Sequence, residues 1–243
     1  MCGRYVSVRA NEDLTEEFDA IDATNGEWEA PNYNVAPTDP VRVVVNRPLR
    51  DESGTPAKAP TRQLRVVSWG LIPSWSKDRK TQGRMFNARM ESVATTSAFR
   101  RAYAKRRCLV PADGWYEWQA TDTGKQAMYM TPQDAHPVAF AGLYEFWGEQ
   151  GQTVTTCTIL TAPAAGALAE IHDRMPLVLP RSRWQKWLDP AVADPSDLLR
   201  SWDEAAGEHL ELRPVQSLVN KVDNNGPALI ERAEPQPDAQ RLF

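Results

Sequence analysis

The sequence predicts an α+β protein built mainly on an antiparallel sheet that curls toward a barrel, with helices at its periphery. Three observations carry this expectation. Short strand-like runs recur along the chain, enriched in Val, Ile, Tyr and Trp. Helical periodicity is confined to a few short stretches. No internal repeat and no convincing linker divides the 243 residues, a length that suits one large domain or two small ones. One domain is therefore expected over residues 1–230. The Pro- and charge-containing residues 231–243 read as a disordered tail.

The elements follow in order. Asn11 reads as a helix N-cap, followed by the acidic Glu12 and Asp13. Leu14, Phe18 and Ile21 then share one helical face. Residues 27–40 read as a loop holding Tyr33-Asn34-Val35-Ala36-Pro37. Strands are expected at 41–46 and 64–69, separated by a polar surface excursion over 50–61. An aromatic, Pro-punctuated turn runs from Trp69 to Trp75. Residues 97–107 suit a helix with Phe99 and Tyr103 four apart. Strands are then expected at 108–110, 115–118, 127–130, 138–144 and 153–161. A short helix at 164–171, a strand at 177–179 and helical segments at 184–188 and 198–202 follow. Late strands are expected at 210–215 and 219–222.

Composition narrows the function classes. Hydrophobic residues make up 42% and charged residues 25%, ordinary values for a globular protein. No apolar run approaches the roughly 18 residues of a membrane span, and no secretory leader is visible, so a cytoplasmic protein is expected. Three scattered cysteines, Cys2, Cys108 and Cys157, do not make a disulfide framework. With only His136, His172 and His209, and no Cys-x-x-Cys pair, neither a metal site nor a cofactor is expected. The net charge of −4 argues against a nucleic-acid protein, but its distribution does not. Residues 77–107 carry ten Lys or Arg and only two acids, a local excess of +8. Such a stretch is either an anion footprint or the solvated face of a helix.

Cys2 has unusual chemical potential. Removal of Met1, plausible before a small residue, would leave an α-amine and a thiol on adjacent carbons. The amine (pKa about 7.7–8.0 in peptides) condenses with aldehydes, and the thiolate is the stronger nucleophile. Together they can close a thiazolidine on one aldehyde carbon. The plain alternative is a small buried apolar residue. Three further stretches pair reactive groups with rigid neighbours: Phe86-Asn87-Ala88-Arg89, Asp113-Gly114-Trp115-Tyr116-Glu117-Trp118 and Ile171-His172-Asp173-Arg174-Met175-Pro176.

With Met1-Cys2-Gly3-Arg4-Tyr5, Asn34-Val35-Ala36-Pro37, Trp69-Gly70 and Gly226-Pro227, these stretches resemble the SOS-response-associated peptidase (SRAP) family. The resemblance runs from residue 1 to about 230. It implies an SRAP-like fold and covalent attachment to abasic sites in single-stranded DNA through an N-terminal cysteine. It also implies catalytic roles for Cys2, Asn87, Glu117 and His172. The chemistry of each fits. Glu117, among aromatics, would gain a raised pKa if buried, although strand alternation leaves its face open. His172 can move protons near pH 7 and so protonate the sugar ring oxygen as the ring opens. Asn87 can orient an amine or an aldehyde oxygen. The plain alternatives are a solvent-facing glutamate, a structural histidine and a turn-forming asparagine.

Arg4, Arg89 and Arg174 each lie two residues from a proposed catalytic group and are expected to hold DNA phosphates. A surface arginine paired with an acid is the alternative. Trp75 is expected to stack on a base, whereas Trp69 reads as core. The partners expected are single-stranded DNA bearing abasic sites and the replication machinery, with the chain a monomer and no membrane involved. Asp223 stands where relatives often carry a basic residue, which weakens a phosphate contact there. Two rival activities compete. One is a thiol peptidase with Cys2 as nucleophile and His172 as base, able to remove Met1. The other is a reversible, salt-sensitive reader of modified bases.

Overall fold

The computed structural model describes residues 2–28, 31–51, 53–122, 124–149, 151–200 and 209–233. Its thirteen strands among these residues are β1 (Tyr5–Ser7), β2 (Ile21–Asp22), β3 (Asn32–Val35), β4 (Pro40–Arg50), β5 (Pro56–Trp69), β6 (Asn87–Arg89), β7 (Arg107–Ala112), β8 (Gly114–Thr121), β9 (Gly124–Pro132), β10 (Val138–Trp147), β11 (Val154–Pro163), β12 (Arg174–Pro176) and β13 (Leu210–Pro214). The helices are α1 (Asn11–Phe18), α2 (Arg100–Lys105), α3 (Arg181–Leu188) and α4 (Ser196–Arg200). No helix among the described residues is long and apolar enough to cross a membrane.

The larger sheet runs β12-β11-β10-β7-β4-β5-β2. It curls until β5 meets β11 in a parallel pair, Ser68 opposite Thr156 and Trp69 opposite Cys157. Five strands thus close into a ring, and the expected curled, largely antiparallel α+β architecture is the one observed. The second sheet, β13-β9-β8-β1-β3, packs against it.

Alternation explains the uninterrupted apolar runs. Val43, Val45, Cys108 and Val110 face the core shared with Tyr5, Trp69 and Phe140. Val44 and Leu109 face the opposite side, beneath Leu14 and Phe18 of α1 and Trp184 and Trp187 of α3. Strands buried on both faces need no polar alternation. Among the buried rings, Phe18 stacks on Trp184 at 4.4 Å.

Several local expectations require correction. The cap of α1 is Ala10, without a side-chain bond, because Asn11 is diverted to Asp22, Thr24 and Arg42. Asp19, at φ 48°, ends that helix, so Ile21 lies in β2 and is exposed. Residues 32–35 form β3 rather than a loop, paired with β1. The polar stretch at 50–61 continues the β4–β5 hairpin. Its turn is closed by Asp51 Oδ1, which accepts from the Ser53 and Thr55 amides, and by Gly54 at φ 82°. An exposed two-stranded ribbon has no buried face to give it an apolar pattern. The helix expected at 97–107 is shortened to α2, and the 164–171 helix is a 3-10 turn, Gly166–Glu170. The strand expected at 177–179 is β12 at 174–176, with Val178 making a lone bridge to Phe140. Residues 219–222 form no strand; Ser217–Asn220 is a 3-10 turn. The chain stays docked through 233, where the Ala233 amide donates to Pro214 O. Residues 201–208, which include part of the expected 198–202 helix, and the remainder of the expected tail, 234–243, lie outside the described residues.

Candidate active site

Cys2 lies fully buried at the head of β1, in the core with Tyr5, Trp69, Cys157 and Ile171. β1 runs antiparallel to β8, with Tyr5 opposite Trp115 and the Tyr116 amide donating to Arg4 O at 3.0 Å. This register brings the Cys2 end of the strand alongside Glu117. The face of Glu117, open in the sequence, is settled by the packing. Trp115 faces the core that contains Cys2, while Tyr116 and Trp118 pack on the other side with Val6, Tyr129 and Val219. Glu117, two residues from Trp115, shares the Cys2 side.

Glu117 is 3% exposed. Burial, with Asp173 adding to it, pushes its carboxyl up to about 7. The Cys2 thiol is raised well above its ordinary value, first by burial and then by the nearby Glu117 charge. Near neutrality the site therefore holds a neutral thiol beside a carboxyl poised to gain or lose a proton.

Asn87 opens β6, which lies parallel to β11 with Asn87 opposite Ile159. Its Nδ2 donates to Cys2 O at 2.7 Å, and its Oδ1 is buried without a hydrogen-bond partner. Trp69 is core, as expected, but its indole N–H also donates to Phe86 O at 2.8 Å, fixing the residue before Asn87.

His172 sits between the 3-10 turn and β12, its amide donating to Leu168 O at 3.1 Å. Its Nδ1 lies 3.0 Å from the Arg174 amide and 2.8 Å from Asp173 Oδ1. It can accept from the first in one tautomer or donate to the second in the other. Burial lowers its pKa, so the neutral ring prevails near pH 7. Gln119 of β8 reaches Glu170 O at 3.2 Å, tying the Glu117 strand to the His172 turn.

The proposed DNA contacts separate. Arg89 and Trp75 are exposed, Trp75 by 57%. Lys77, Arg79, Lys80, Arg84, Arg100, Arg101 and Lys105 are exposed as well. Arg107 of the basic stretch is instead buried against backbone carbonyls that include Trp187 O, and Arg106 pairs with Glu145 at 2.5 Å. Arg4 is partly buried and donates from Nη1 to Asn34 Oδ1 at 2.7 Å and Val219 O at 2.9 Å. Arg174 forms a two-pronged pair with Glu91 at 2.5 and 3.0 Å.

Sequence reasoning left out several residues that build the site. Asn34 donates from Nδ2 to Lys221 O at 2.9 Å and Asn224 O at 3.0 Å, docking the late turn beside Arg4. Thr161, buried on β11, receives Arg174 Nη2 on its carbonyl at 2.6 Å. Asp173 and Glu91 complete the set. Only Asn34 carried a signal, through its Asn-Val-Ala-Pro context; the others depend on contacts between distant segments.

Comparisons with known proteins bear on the family and the fold. The family model described as SOS response associated peptidase (SRAP) matches residues 1–222. The abasic site processing protein YoqW of Bacillus subtilis is 37% identical over 235 residues, covering 95% of this chain and 99% of that one. The abasic site processing protein YedK of Escherichia coli is 30% identical, covering 95% and 99%. The abasic site processing protein HMCES of Gallus gallus is 30% identical over 222 residues, covering 81% and 65%. A crystal structure of a Bacteroides thetaiotaomicron protein superposes with a TM-score of 0.80 at 20% identity, covering 96% and 100%, and so supports the fold. The chain belongs to the SRAP family.

Proposed function

We propose that this protein processes abasic sites in DNA by linking itself covalently to the ring-opened aldehyde through Cys2. Removal of Met1 would expose the Cys2 amine. The amine attacks the aldehyde carbon and water leaves, giving a Schiff base. The thiol sulfur then adds to the C=N carbon while its proton passes to nitrogen, closing a thiazolidine. The overall change is one water lost per adduct, and the closed ring leaves no easily hydrolysed C=N bond.

The observation that carries this reading is Glu117, a buried carboxyl with its pKa near 7 beside Cys2. Each step moves a proton, and such a group can take and return one near neutrality. Asn87, holding Cys2 O, orients the nucleophile; neutral His172, its Nδ1 accepting from the Arg174 amide, offers Nε2–H as a hydrogen-bond donor to the sugar ring oxygen and not the full proton expected of a charged ring. Exposed Arg89, Trp75 and the basic residues around them supply a surface for single-stranded DNA.

The thiol-peptidase reading fits the family description, but it gives no purpose to a thiol placed beside the α-amine that loss of Met1 would free. The raised Cys2 thiol burdens both readings alike. An N-terminal extension that resists processing separates the two activities. Crosslinking requires the free amine and should be lost, along with loss in Cys2→Ala, in denaturing gels of protein mixed with abasic single-stranded DNA. Adducts of undiminished yield in the extended protein would overturn the proposal.

A further inference from the structure

We propose that Glu91 is a positioning residue: its two-pronged pair with Arg174 locks the strand bearing Asn87 to the strand that follows His172. The inference rests on the abasic-site reading above and deepens it. Asn87 and His172 are 85 residues apart and reach the site from opposite sides of β11. β6 lies parallel to β11, with Arg89 opposite Thr161, and β12 lies antiparallel to it, with Pro176 opposite the same Thr161. Both short strands have three residues. Three ladder pairs on each side are alone a weak hold for groups that must converge on Cys2 within a fraction of an ångström.

The contacts around Arg174 supply the missing tie. Glu91 lies in the turn after β6, where the Ser92 amide donates to Arg89 O. Its two carboxylate oxygens accept from Arg174 Nη1 at 2.5 Å and Nη2 at 3.0 Å. Arg174 Nη2 also reaches Thr161 O at 2.6 Å, the carbonyl that accepts from the Met90 amide at 3.0 Å. One carbonyl of β11 therefore collects a donor from each arm, and Glu91 joins the arms directly. Surface ion pairs usually contribute little. This one differs on the arginine side: the Arg174 side chain is only 12% exposed and its Nε is buried, so the guanidinium is held in place for a Glu91 carboxylate that is itself 47% exposed. The hydrogen bond from Arg174 keeps the Glu91 carboxyl below its usual range, with the Arg174 and Arg89 charges adding to it, which preserves the pair near neutrality. The fork that would grip a DNA phosphate head-on is already occupied by Glu91, so Arg174 contributes to alignment as well as to any DNA contact.

The test is single-turnover adduct formation with single-stranded DNA carrying one abasic site, measured across DNA concentration and salt, for wild type, Glu91→Gln and Glu91→Asp. Glu91→Gln is expected to lower the maximal rate about tenfold. Its half-saturating DNA concentration and salt slope should stay within about twofold of wild type. Glu91→Asp, which keeps the charge, should recover part of the rate. Thermal unfolding of each variant shows that the assay temperature lies below its transition, and if Glu91→Gln does not fold, Glu91→Asp is read by the same criterion. Tighter DNA binding by Glu91→Gln at an unchanged maximal rate would show Glu91 competing with phosphate and overturn the clamp. An unchanged rate and affinity would overturn it too. If wild type itself forms no adduct, the functional reading falls and the clamp's catalytic purpose falls with it.

Discussion

Glu117 carries the most chemical consequence of any single residue. Its carboxyl titrates near 7 in the fold against about 4.5 in an unfolded chain. The folded state thus binds more protons than the unfolded state between those values, and stability falls as pH rises through that window. Above about 7 the loss is complete. Glu117→Gln should remove that dependence and raise unfolding free energy at pH 8 by about 1–3 kcal/mol. Denaturant unfolding at pH 5 and pH 8 checks this; an equal effect at both pH values would show that the carboxyl is not buried in its charged form. The same variant should slow adduct formation and flatten its pH profile near neutrality, an outcome read in the same crosslinking assay. Cys2, Asn87, Glu117 and His172 could be singled out as chemically able residues from residue type and motif. Their arrangement was not legible. Aromatics on both sides of Glu117 hid its face, and Glu91 and Thr161 enter only through contacts made across β11.

The connecting elements are as exacting as the reactive groups. Gly70, at φ 117°, follows β5, and a Cβ there would lie 2.3 Å from Gln82 O. Gly70→Ala should cost on the order of 1–3 kcal/mol in backbone strain alone, measured as a shift in the denaturant midpoint. An unchanged midpoint would mean that this turn relaxes freely. Trp69→Phe keeps the core ring but deletes the donor to Phe86 O. It should destabilise the fold by about 1–3 kcal/mol and slow adduct formation by loosening Asn87. Wild-type adduct kinetics in that variant would place Trp69 outside the positioning of Asn87. Strands with strong apolar runs, such as β4, β7 and β10, were readable in the sequence because burial on both faces leaves an unmistakable composition. β3 and the outer half of the β4–β5 hairpin were not. Asn32-Tyr33-Asn34 looks like turn chemistry, and residues 50–61 are polar because they are exposed, whatever their backbone does.

At the scale of the whole molecule, the ring closed by β5 and β11 joins residues almost ninety positions apart, a pairing no local pattern announces. A curled sheet could be expected from many short strands; which strands would meet could not. β11 receives β5, β6, β10 and β12, so the strand that completes the barrel also assembles the Asn87 and His172 arms beside Cys2. In the proposed chemistry this assembly presents an N-terminal Cys2 to a DNA aldehyde. Intact mass spectrometry of the purified protein tests it most directly, before and after mixing with single-stranded DNA bearing one abasic site. Loss of Met1 is expected, then a gain equal to the DNA mass less one water, with no such gain in Cys2→Ala. A free Cys2 terminus that gains no DNA, or an adduct that persists in Cys2→Ala, would contradict it.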